Sequence, residues 1–102
     1  MGMFDNVRCH MPLPKGFEAL QEHVFQTKDL DCIMDEFTIQ SDGTIHSRDV
    51  GKLYYTAQVS FATLNPPEMP ETHWVKFCVH MLRGKVDGAV ELVRHELKDK
   101  AP

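Results

Sequence analysis

The feature that most constrains this chain is a two-residue alternation of side chains, carried by "KLYYTAQVSFATL" (52–64) and again by "THWVKFCVHML" (72–82). In the first, Leu53, Tyr55, Ala57, Val59 and Phe61 share one side, and Tyr54, Thr56, Gln58 and Ser60 share the other. In the second, Val75, Phe77, Val79 and Met81 oppose Trp74, Lys76, Cys78, His80 and Leu82. A period of two sends successive side chains to opposite faces of an extended strand, whereas a helical face repeats every 3.6 residues. Both segments are therefore expected to be half-buried strands. Between them, "NPPEMPE" holds three prolines, which cannot donate to a ladder and must form a surface loop.

Two Asp-Gly pairs suggest hairpins. In "DEFTIQSDGTIHSRD", a type I turn with Gly43 as the left-handed bulge residue sets Ile39 opposite Ile45, whereas a two-residue turn would set Ile39 opposite His46. The apolar pairing favours the bulge. The same logic applied to "RGKVDGAVELV", with the bulge at Gly88, sets Arg83 opposite Glu91, Leu82 opposite Leu92 and Met81 opposite Val93. A helix competes for residues 87–98, since Val86, Ala89, Val90, Val93 and Leu97 also fit a 3.6-residue period after a capping-type Asp87. The strand is preferred because it gives Gly88 a stereochemical purpose, while glycine early in a helix costs roughly 1 kcal/mol against alanine.

Upstream, "MFDNVRC" reads as a short strand, "GFEALQEHV" as one or two helical turns, and "VFQTK" as another strand. The expected fold is mainly β: a single domain over 1–102, with five to six strands in an antiparallel curled sheet, either a sandwich or a partly open barrel, and at most a short helix. A chain of 102 residues buries roughly two-thirds of the surface its unfolded form exposes, enough for one core.

Charge and cysteine usage narrow the function classes. A formal net charge of -4 argues against nucleic acid as a partner. No apolar run is long enough to span a membrane as a helix. Three cysteines, with no leader-like opening, set the expectation of a reducing cytoplasm rather than a disulfide framework.

Cys78 and His80, two apart on a strand, point the same way and can converge on one ion. Tetrahedral zinc needs four ligands, so the others would come from Cys9, Cys32, His10, His46 or His73 across the fold. No Cys-x-x-Cys pair supports that assembly. A cysteine nucleophile with a histidine base, Cys78 with His80 or Cys9 with His10, lacks the turn that would present the thiol. Interaction residues are easier to nominate. Tyr54 and Trp74 on sheet faces, with Lys76 beside Trp74, are residue types that anchor interfaces. Asp29, Asp31, Asp35 and Glu36 form an acidic patch suited to a cation or a basic partner. Free edge strands would offer sheet extension, including self-pairing into a homodimer.

The opening "MFDNVRCHMPLP", with "FQTKDLDC" at 25–32 and "FTIQSDGTI" at 37–45, resembles a group of small uncharacterised proteins of bacteria, prophages and phages. The resemblance covers the first half of the chain and implies a cytoplasmic accessory protein, without implying any activity, cofactor or catalytic residue. The sequence thus points first to a non-enzymatic module that binds a host or phage protein. A zinc-supported domain built on Cys78, His80, Cys9 and Cys32 is the second reading, and a small enzyme the third.

Overall fold

The computed structural model describes residues 5–28, 36–48, 51–54 and 56–98. Its strands are β1 Asp5–Cys9, β2 Val24–Thr27, β3 Glu36–Ile39, β4 Ile45–Ser47, β5 Gly51–Lys52, β6 Ala57–Leu64, β7 Thr72–Leu82, β8 Lys85–Val86 and β9 Glu91–Leu97. They form one open, mixed sheet in the order β5-β4-β3-β1-β2-β6-β7-β8, with β9 also pairing β7. Because β6 occupies one edge of β7, the short β8 and the longer β9 share the other. Every pairing is antiparallel except β1 with β3. Among the described residues, no helix is long and apolar enough to cross a membrane.

The inner face of this sheet builds the core by alternation. Val59 and Phe61 of β6 and Val75, Phe77, Val79 and Met81 of β7 are all buried, as are Val7, Cys9, Phe25, Phe37 and Ile39. Phe25 meets Phe61 edge-on at 5.1 Å between centroids and Phe77 at 5.8 Å, and Phe17 closes over Phe77 at 5.2 Å. Such edge-to-face pairs contribute about 0.5–1.5 kcal/mol each beyond the area they bury. Phe17 is brought there by a short 3-10 turn, Glu18–Leu20, whose Leu20 is fully buried. Gln21 then fixes the preceding segment. Its amide donates to the Cys9 and Met11 carbonyls at 3.0 and 2.7 Å, and its oxygen accepts from the Leu13 amide at 3.1 Å.

The sheet curls until its ends touch. Thr44 bridges Lys85, and the Val86 amide donates to the Gly43 carbonyl at 2.7 Å, so the tip of the β3–β4 hairpin rests on β8. The β3–β4 register is the expected one, Ile39 opposite Ile45 with Gly43 at φ +90°.

Three expectations need correction in detail. The segment 52–64 is not one strand: the Leu53 amide donates to the Ile45 carbonyl at 2.9 Å, which ties it to β4, and pairing with β7 begins only at Ala57. The sheet has nine strands in all, against the five to six expected. The last hairpin turns at Arg83-Gly84, not at Gly88. Both turn residues have positive φ, +52° and +84°, the geometry of a two-residue type I′ turn, with Leu82 opposite Lys85. The return strand breaks after β8 and resumes as β9 with Glu91 opposite Cys78 and Arg94 opposite Lys76, so Glu91 does not face Arg83. Residues 91–97 are strand, the reading preferred over the helix.

Candidate functional site on the outer face of β7 and β9

The outer face of β6, β7 and β9 collects the chemistry-bearing side chains. Pairing sets Leu64 beside Trp74, Ala62 beside Lys76, Ser60 beside Cys78 and Gln58 beside His80. From β9, Glu96, Arg94 and Glu91 fall opposite Trp74, Lys76 and Cys78. Position 93 is the extra residue of a bulge between the Lys76 and Phe77 pairs, which keeps both Glu91 and Arg94 on this face.

At one end of the face, Cys78, His80 and Glu91 converge: one donor atom from each lies within 4.8 Å of the other two. His80 Nε2 is 2.7 Å from Glu91 Oε2, with both side chains about half exposed. A carboxylate only accepts, so the imidazole N–H donates. Cys78 is buried on this outer face, and burial, with the Glu91 charge nearby, pushes its thiol above the ordinary value, while a hydrogen bond with the Gln58 side chain and the Lys76 charge act the other way. At neutral pH it is a thiol rather than a thiolate nucleophile. At the other end, the Arg94 guanidinium lies over the Trp74 ring at 5.6 Å and pairs with Glu96 at 2.6 Å. Trp74 and Lys76 also line an open cleft of about 340 Å³ together with Gln26, Lys28 and Ala62.

The structure gathers some of the expected site residues and scatters others. Cys78, His80, Trp74 and Lys76 share this face. Cys9 does not join them: it sits in the core, its thiol donates to the Met11 carbonyl at 3.6 Å, and burial pushes it up to about 11. His46 and His73 are engaged elsewhere, with Thr44 and Asn65 respectively. Tyr54 stands 70% exposed between β5 and β6, with the Lys52 ammonium 5.2 Å from its ring. Glu36 pairs with Arg48 at 2.8 Å on β3. Asp29, Asp31, Cys32 and Asp35 lie outside the described residues.

Two features escaped the sequence reading. Glu91 was hidden by the misplaced hairpin register. The second is His23, whose Nδ1 meets Glu68 at 2.8 Å and whose Nε2 meets the Thr63 hydroxyl at 2.7 Å. This arrangement ties the proline-rich loop to β6, and the 40-residue separation of its partners left no local signal. A comparison with family models, curated proteins and solved structures finds no match for this chain.

Proposed function

We propose that this protein is a non-enzymatic protein-binding module that docks by sheet extension along β9, and that the strand it receives is β9 of a second copy. The observation that supports the reading is the state of β9. It is seven residues long, it pairs among the described residues only with β7, and Leu92, Val93 and Leu97 are 43%, 50% and 62% exposed. The opposite end of the sheet, β5, is only two residues long. Long, apolar, uncovered edges are the ones that recruit another strand.

The β9 sequence is also complementary to itself. In an antiparallel pair related by a twofold axis at His95, Val93 faces Leu97 and Arg94 faces Glu96, each twice. Shifting the axis to Arg94 or Glu96 would oppose like charges. Cross-strand apolar or opposite-charge pairs contribute roughly 0.2–1 kcal/mol each, enough in sum to select one register. The setting is the accessory role of the phage and prophage proteins that the first half resembles, with a host or phage protein as the rival occupant of the same edge.

Sedimentation velocity across a concentration series tests the reading. The wild type is expected to dimerise. Arg94→Glu and Glu96→Arg should each weaken the dimer by roughly tenfold, and the double exchange should restore it, because only a self-paired strand regains both contacts. A chain that stays monomeric, or a dimer indifferent to all three variants, overturns self-pairing.

A further inference from the structure

We propose that Cys78, His80 and Glu91 form a binding site for one zinc-type divalent cation, with water completing the shell. The site is new in its third member, since only the observed β7–β9 register brings a carboxylate to the Cys-x-His pair. A thiol, an imidazole and a carboxylate are the three donor types that zinc accepts, and three protein ligands with one open position is the arrangement of its non-structural sites. Tetrahedral bonds of about 2.0–2.3 Å put neighbouring donors roughly 3.3–3.6 Å apart. The donor atoms already lie within 4.8 Å of one another, so shifts of about 1 Å would bring them to that spacing.

The backbone contributes rigidity. Cys78 and His80 sit two apart on the longest strand, which is paired on both edges, and Glu91 is the first residue of β9, directly opposite Cys78. The 2.7 Å contact between His80 and Glu91 holds a proton between two donors that an ion would share. Binding would release the thiol proton and move the imidazole N–H to the other ring nitrogen, and the face stays open to solvent on the His80 and Glu91 side, whose side chains are half exposed. Gln58, paired with His80 and hydrogen-bonded to Cys78, is placed to orient the sulfur.

Cobalt(II) titration of the full chain under reducing conditions tests the site. The expected result is a one-to-one near-ultraviolet thiolate-to-cobalt band with visible bands of tetrahedral intensity, bleached by stoichiometric zinc. Cys78→Ser should abolish the charge-transfer band, and His80→Gln and Glu91→Gln should each weaken binding by roughly tenfold or more. Cys32→Ser should leave the spectrum unchanged. All four positions are compared by circular dichroism to confirm the fold. A folded wild type without the band overturns the proposal, and so does a band that survives Cys78→Ser or disappears with Cys32→Ser.

Discussion

Gly84 occupies a position where no other side chain fits. Its φ is +84°, and a Cβ would lie 2.9 Å from Tyr54 Cα and closer still to the Leu53 carbonyl oxygen, both backbone atoms that cannot swing aside. Gly88 has a similar φ of +90° but open space around it. Gly84→Ala should therefore cost roughly 2–4 kcal/mol, steric overlap added to the left-handed backbone penalty, whereas Gly88→Ala should cost only the latter, about 1–2 kcal/mol. Urea unfolding separates them by midpoint; equal losses would show that packing against Leu53 is irrelevant. Glu68 makes a different demand. Its carboxyl is held below the ordinary value, chiefly by the hydrogen bond from His23, so it binds protons less readily folded than unfolded. That contribution is in place above the unfolded carboxyl value and is lost as pH falls through the folded one. The wild type should thus lose stability on acidification below about pH 4 more steeply than Glu68→Gln, with parallel curves for the two proteins as the contrary result.

At the level of elements, the β7–β8 turn decides what β9 presents. Arg83 sits at φ +52° with its amide donating to the Thr56 hydroxyl at 3.0 Å, a contact that any residue but proline keeps. Asparagine tolerates the left-handed region better, and Asn-Gly is the preferred type I′ pair, so Arg83→Asn should raise stability by about 0.5–1 kcal/mol in thermal or urea unfolding. Unchanged or reduced stability would mean that the arginine side chain contributes something of its own. The same turn explains what the sequence disclosed and withheld. The Asp42-Gly43 bulge was legible because Ile39 and Ile45 arbitrate the register. Arg83-Gly84 carries no such signal, and the stronger turn pair Asp87-Gly88 drew the hairpin four residues downstream. The break between β8 and β9 then defeated any continuous register. Cys78 and His80 were visible as a pair on β7; Glu91, misaligned with Arg83, was not.

For the molecule as a whole, alternation fixed the class, since Val75, Phe77, Val79 and Met81 all point inward as the period of two requires. The parallel pairing of β1 with β3 left no trace in local pattern: it depends on a crossover from β2, and each strand alone reads the same in either direction. The core that results is aromatic at its centre and capped by Phe17 and Leu20 rather than by a second sheet. The strand order also leaves the two ends unequal, with the two-residue β5 at one and β8 with the seven-residue β9 at the other, the asymmetry on which the proposed self-pairing rests. Two copies paired there about a twofold axis would form a closed pair, because each spends the same edge on the other. The contact between Gly43 and Val86 acts as a clasp on a cuff: with the Thr44–Lys85 bridge and the packing of Gly84 on Leu53, it joins the two ends of the curled sheet. Amide exchange at Val86, whose N–H makes that joining bond, is expected to run faster than at Val79 in the middle of the β6–β7 ladder.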